Sequence, residues 1–489
     1  MLLKVAKRFA DWSVALLAAI FQAKELNPGS FNTWFERAWL AGLYLAGGAL
    51  WGKFLNWGRI PFDFHDWAEI SAPRLAFIRD AVIKGALPLH MPDASALRNV
   101  TDRFMSIPDA LLSPQILLMR WMDVGQFILV DTLLLYTLGF LALLWLRRKF
   151  SISPISFAII FFLFNFNGHI TSHMSIGHAS WGGYFLFPWF VIFTLQLLEG
   201  EKHTWRWAAR MSILLFLVFL QGSFHQYVWM LIFLGLLGIT CWRTFLPVLK
   251  AGLFAGLLSM VRLLPPVLEM SKFDNEFLGG YPSLHDLWQS LVSIRFPEQA
   301  LSSRSMFTTL GWWEFDLYIG LGGTLILVIG TLLWLRRWRE KNAYAELFIP
   351  LAVLSFFTFG RMYQVLRLIP IPLLSGERVT SRMISLPFVF VLILGIVAFD
   401  QWMQARPSHS GLKVIGLAGL GIIIHDLWQH LKAWQVTNAF PAFPLTPTDL
   451  SIKIVANHPD PIYMTYLGVG AAVSLLSLVV LLVLARRTD

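Results

Sequence analysis

The 489-residue chain is 56% apolar and only 14% charged, with a mean hydropathy of +0.62. A water-soluble domain needs a charged exterior and cannot hide that much apolar surface, so composition excludes an ordinary soluble enzyme. The net charge of +10 does not point to nucleic acid, because the basic residues fall in short clusters at the ends of apolar runs, where they read as topology signals.

In chain order, residues 1–35 open with Lys4, Lys7 and Arg8 followed by Phe9, Trp12, Leu16, Leu17 and Ile20. Gln22, Lys24 and Glu25 cut this run short and no small-residue cleavage site follows, so it reads as an amphipathic helix on the cytoplasmic face of the membrane. Apolar runs able to cross ~30 Å of hydrocarbon then fall at 36–55, 125–146, 151–167, 180–198, 208–223, 225–246, 248–268, 316–335, 343–360, 383–403, 411–431 and 464–485. The expectation is an all-α polytopic protein of about twelve transmembrane helices in a single domain, 36–489. With both termini in the cytoplasm, every even-numbered span ends on a basic inner turn: Arg147–Lys149, Lys202–Arg210, Arg243–Lys250, Arg336–Lys341, Arg406–Lys413 and Arg486–Arg487. This is the positive-inside pattern of a bacterial inner membrane. Long stretches at 57–124, 271–315, 361–382 and 434–463 then lie on the periplasmic or extracellular side, where loops on a helical scaffold carry function. The single cysteine, Cys241, excludes an intrachain disulfide framework and a cysteine metal site.

The first of these loops holds Asp63, His65, Asp66 and Glu69 within seven residues. A carboxylate at a membrane surface can act as general base toward a hydroxyl. Asp63, Asp66 and Glu69 could instead hold a divalent cation such as magnesium or manganese, or solvate the loop and pair with Arg74 and Arg79. Three histidines follow, His169, His173 and His178, among Asn165, Asn167 and glycines. Their spacing fixes no third protein ligand, so hydrogen-bonding histidines lining a polar cavity explain them better than a metal. The turn Gln221-Gly222-Ser223-Phe224-His225-Gln226 joins two apolar runs, and His225 and Gln226 can face the same cavity. Arg262 sits near the end of its run, where it either snorkels to the interface or meets an anion. Arg378 and Arg382 share a helical spacing of four, and their planar donor forks suit phosphate oxygens. The positive-inside rule does not explain arginines on the outer side.

The order of these elements resembles the GT-C fold membrane glycosyltransferases, and within them the bacterial YfhO-like family. The likeness rests on an acidic residue after the first span followed by Gly85-Ala86-Leu87-Pro88-Leu89, the Gly177-His178 turn leading to Pro188, and the 222–226 turn. Leu263-Leu264-Pro265, Glu314 to Gly320, and Arg378-Val379-Thr380-Ser381-Arg382 complete it over residues 36–400. His90 stands where tryptophan is more usual and Thr380 where proline is frequent. The resemblance implies transfer of a sugar, with inversion, from a polyprenyl-phosphate carrier to a glycan, lipid or protein acceptor on the non-cytoplasmic side. It places the catalytic base on Asp66, with Asp63 second. In that scheme Arg378 and Arg382, with Arg262, receive the donor phosphate, while His65, Glu69, His178, His225 and Gln226 line the cavity. Two other classes stand beside it: a transporter for a lipid-linked substrate, and a non-catalytic scaffold subunit held by membrane lipids and partner proteins. Transporters place ionisable residues or broken helices at the bilayer midplane, and here the ionisable residues cluster outside the spans.

Overall fold

The computed structural model describes residues 20–21, 31–91, 102–200, 204–272, 277–297, 310–340, 344–368, 377–406, 410–442, 444–447, 449–453 and 459–486. The amphipathic helix expected over the first residues lies almost wholly outside this set. The helices that order the chain are α1 (Phe31–Phe54), α2 (Ala72–Lys84), α3 (Val124–Phe150), α4 (Pro154–Asn165), α5 (Gly168–Ile176), α6 (Phe187–Leu198), α7 (Thr204–Leu220) and α8 (Phe224–Thr240). They continue with α9 (Trp242–Leu258), α10 (Leu284–Val292), α11 (Gly320–Arg336), α12 (Phe348–Phe357), α13 (Ser385–Gln404), α14 (Ser410–Trp434) and α15 (Pro461–Arg486). Among the described residues there are no strands, only three isolated bridges.

Local chemistry sets several boundaries. Asp123 and Gln126 form a reciprocal capping box at the start of α3, which satisfies two of the backbone N–H groups a helix start leaves orphaned. Ser153 caps α4 ahead of Pro154, and Asn167 caps α5.

Among the described residues, six helical segments are long and apolar enough to cross a membrane, and up to eight if each of two bent pairs counts as one span. The chain is therefore a multi-pass membrane protein. The expected runs are largely helical where described, though 151–153 and 316–319 precede their helices and residue 343 lies outside the described residues, and fewer than the expected dozen are long and apolar enough to cross. The helices α8 and α11 have 17 residues each, at the short limit for spanning. Charged Glu36, Arg37 and Lys53 interrupt α1, and Arg206 and Arg210 interrupt α7. The bent pairs are α9 with Met260–Leu268, at 56°, and Ala345–Phe357 with Gly360–Leu368, at 106°.

The segment Pro154–Ile176 is central, with 94% of its apolar window buried in protein, whereas only 22% of the window in α15 is covered. Helices α11 and α13 cross at Gly330 and Gly395, where an added Cβ on Gly330 would lie 2.5 Å from the Gly395 carbonyl oxygen. Small residues allow such backbone approach in membrane bundles.

The two ends of the bundle differ chemically. At one end the basic residues pair with acidic and amide side chains: Arg147 with Glu36, Lys149 with Glu199, Arg243 with Glu346 and Arg337 with Gln401. At the other end the four long inter-helix stretches join. Phe64 bridges Pro444 and Gly279 bridges Val379, Arg103 holds Asp460 at 2.7 Å, and His65 meets Trp313 edge-on with ring centroids 4.7 Å apart.

Candidate active site

Asp66 precedes the π-helical turn Trp67–Ser71 that leads into α2. His178 follows the C-terminus of α5, where Gly177 adopts φ +107°. These two turns interlock. Trp67 Nε1 donates to the Ser175 carbonyl at 2.9 Å and the Ser71 hydroxyl donates to the Gly177 carbonyl. A Cβ on Gly177 would lie 2.3 Å from the Trp67 nitrogen and 2.7 Å from the Asp66 carbonyl carbon. Gly177→Ala therefore combines a left-handed backbone with a backbone collision. The expected loss is about 2 kcal/mol or more of stability, read as a lowered melting temperature in detergent, with displacement of His178 from Asp66.

That contact is the centre of the site. His178 Nε2 stands 2.6 Å from Asp66 Oδ2, and His178 Nδ1 stands 2.7 Å from His173 Nδ1. His65, whose backbone is itself at φ +42°, places Nδ1 3.4 Å from Asp66 Oδ1. Burial alone would raise the Asp66 pKa, but the His178 hydrogen bond and the nearby His178, His65 and Arg382 charges outweigh it and hold the carboxyl at about 2. Burial keeps His65 below the ordinary imidazole value, with Asp66 opposing it and His178 adding to it.

Arg382 opens the segment Thr380–Gln404. Its Nε and Nη2 donate side-on to the two Glu314 carboxylate oxygens, its guanidinium carbon lies 5.1 Å over the Trp181 ring, and its charge acts on both Asp66 and Glu377. The Ser381 hydroxyl donates to the Glu314 carbonyl at 2.6 Å, so backbone and side chain of Glu314 are both held by the start of this helix. Trp313 Nε1 adds a further donor to Glu314 at 3.1 Å.

Glu377 is 2% exposed and accepts from His225 Nδ1 at 3.0 Å, Trp229 Nε1 at 2.9 Å and the Val379 N–H at 3.1 Å. Burial pushes its pKa up, but His225 and then Arg382 bring it down to about 2. Trp181 links the two carboxylate–imidazole pairs. Its ring is parallel to His173 (4°, centroids 4.4 Å apart) and to His225 (10°, 6.2 Å).

The two depressed carboxyls have a direct consequence for acid stability. A carboxyl with a folded pKa below its unfolded value contributes stability that is complete above the unfolded pKa and is lost as pH falls through the folded one. For Asp66 and Glu377 that window runs from about pH 4 down to about pH 2, and Asp66 accounts for about 2 kcal/mol of it. The melting temperature in detergent should fall across that window, and Asp66→Asn should flatten part of the fall.

The structure thus brings together Asp66, His65, His178, His225 and Arg382 from the residues expected of the site. Gln226 lies beside them, its Nε2 donating to the Trp181 carbonyl at 3.2 Å while Oε1 is buried without a partner. Other expected residues stand apart. The Arg378 guanidinium lies 5.4 Å over Phe277, and Asp66 answers to Arg382 and the two histidines instead. Arg262 is 1% exposed and directs Nη2 to the carbonyls of Ile107, Pro108 and Ala110 at 2.6–3.1 Å. It neither snorkels nor reaches Asp66, because the 102–111 segment covers it. Asp63 contributes its backbone carbonyl to the Leu445 N–H, and Glu69 is exposed. No group of three or more His, Cys, Asp or Glu among the described residues is placed to hold a metal ion, so Asp63, Asp66 and Glu69 do not converge as a cation site.

Sequence reasoning gave no site role to Glu314, Glu377 or Trp181. Glu314 carried a usable signal, an acid beside Trp312 and Trp313 shortly before an apolar helix.

No family model matches the chain and no curated protein matches it. Among solved structures, the cryo-EM structure of the arabinofuranosyltransferase AftD from Mycobacteria aligns with 84% of this chain at 14% identity and a TM-score of 0.45. The chain spans only 27% of the length of that protein.

Proposed function

We propose that this chain is a GT-C type membrane glycosyltransferase, related to the YfhO-like family, that moves a sugar from a polyprenyl-phosphate donor to an acceptor at the non-cytoplasmic face of a bacterial inner membrane. The observation that carries this reading is the convergence of Asp66 and Arg382, from segments over three hundred residues apart, beside Trp181 at one end of the bundle. Both are partly open, with side chains 20% and 12% exposed. A hydroxyl acceptor needs a base, and Asp66 carries His178 on Oδ2 and only the longer 3.4 Å contact of His65 on Oδ1. The departing phosphate needs positive charge preorganised in a low-dielectric site, and Arg382 supplies it with the Nη1 edge that Glu314 leaves uncommitted.

In this mechanism the acceptor hydroxyl loses its proton to Asp66 as its oxygen attacks the anomeric carbon, and the carrier phosphate leaves from the opposite face, inverting the configuration. His178 holds Asp66 ionised and oriented. The test is a reconstituted assay in which the full chain, in liposomes, is offered a panel of polyprenyl-phosphate pentoses and hexoses with a membrane extract as acceptor. Sugar transferred from one of them, with release of polyprenyl phosphate, is the expected result. Turnover of none, alongside uptake of a lipid-linked substrate into the vesicle, would replace the enzyme reading by the transporter.

A further inference from the structure

Resting on the glycosyltransferase reading, we propose that His225, fixed by Glu377, is the group that hydrogen-bonds the carrier phosphate and protonates it as it departs. Three donors converge on Glu377 inside the protein. An acid placed in this way acts on the ring it holds. Its bond to Nδ1 requires a proton on that nitrogen, which leaves Nε2 as the working edge of a ring that remains 25% exposed. The same logic in reverse marks His178 as a support. Asp66 takes its Nε2 and His173 takes its Nδ1, so both of its nitrogens are already occupied. Between His178 and His225, it is His225 that keeps a nitrogen for a ligand.

Charge also favours this role. Asp66, Glu314 and Glu377 bring three negative groups to the site, while Arg382 is the arginine that acts on all three. A phosphate diester would meet net repulsion unless an imidazole contributes positive charge. Other groups facing His225 are Asp109, which is itself paired with Arg74 at 3.1 Å, and His173.

The step balances with this assignment. The acceptor O–H proton passes to Asp66, and the acceptor oxygen forms its bond to the anomeric carbon. The bond from that carbon to the phosphate oxygen breaks, and its electron pair leaves with the phosphate. The imidazolium Nε2 proton moves to a phosphate oxygen. The products are the glycoside, a singly charged polyprenyl phosphate, protonated Asp66 and neutral His225, and exchange with water restores both side chains.

The probe is polyprenyl monophosphate, added to the full chain in nanodiscs and followed by binding titration and phosphorus NMR from about pH 5 to about pH 8. The wild type should bind more tightly as pH falls. His225→Gln should weaken binding at the acid end by about tenfold, the size of one charge-assisted hydrogen bond, and should flatten the pH profile. Glu377→Gln should flatten it as well, which a purely structural role for Glu377 would not do. Unchanged pH profiles in folded His225→Gln would overturn the assignment to His225 and leave the glycosyltransferase reading standing. Absence of wild-type binding at every pH would remove both. Should the variants fail to fold, the wild-type phosphorus resonance decides: titration displaced from that of the free carrier supports the imidazolium contact, and an undisplaced titration overturns it.

Discussion

Asp66→Asn is expected to reduce sugar transfer by on the order of a thousandfold or more, the range in which loss of a positioned general base falls, while the protein remains folded. The amide keeps the shape of the carboxylate and can still accept from His178 through its oxygen, so the Trp67–Ser71 turn and the interlocked Gly177 turn persist. It cannot take a proton from a hydroxyl. Its effect on stability should be limited to the ionisation energy described above, because the bonds from this turn to the Ser175 and Gly177 carbonyls come from the Trp67 indole and the Ser71 hydroxyl, not from the Asp66 side chain. Transfer by the variant at the wild-type rate would reject Asp66 as base, and would shift attention to the imidazole edge of His225. The low pKa of Asp66 belongs to the same argument. A carboxylate held at about 2 is ionised at every pH where the membrane is intact, so the acid limb of a rate profile cannot arise from its protonation. Such a limb must come from substrate or from another group.

How far the sequence reveals this arrangement depends on the range of each interaction. Helices were legible because an apolar run is a local signal that ends within a few residues of the helix it encodes. The basic helix ends were legible for the same reason, and the structure pairs several of them at one end of the bundle. Asp66 was legible as a carboxylate beside a span, and His178 as a histidine after a glycine turn. Their pairing was not, because it depends on Gly177 packing against the backbone of Trp67 across more than a hundred residues of chain. The same limit applies to Arg262, which a sequence reading sends to the interface or to an anion. Three carbonyls from the 107–110 segment claim its Nη2 in the fold. Spacing suggested that Arg378 and Arg382 would share a helix face. Arg378 instead lies in the extended stretch bridged to Gly279, before the helical geometry begins, so the two guanidiniums part.

Arg382 and Glu314 support the second large prediction, because their pairing separates stability from function. Their side chains are 12% and 8% exposed, and Nε and Nη2 of Arg382 engage both Glu314 carboxylate oxygens. Removing one partner leaves the other charge stranded, which costs about 3–5 kcal/mol. Arg382→Met should therefore lower the melting temperature sharply and abolish transfer. Glu314→Met should destabilise less, because Asp66 and Glu377 still act on the orphaned guanidinium. Replacing both residues by methionine removes the unpaired charge, and buried ion pairs exchanged for apolar side chains of similar volume often lose little stability. The double variant should recover most of the melting temperature while remaining inactive. A merely structural ion pair predicts a different result, recovery of activity together with stability, since the scaffold would again be intact. Arg382→Lys refines the comparison. It retains the charge but loses the planar fork and much of the stacking over Trp181, so it should fold better than Arg382→Met and still transfer sugar poorly. The guanidinium thus has two separable tasks, holding Glu314 on one edge and offering Nη1 to an anion on the other, and only the second requires arginine once the carboxylate is gone.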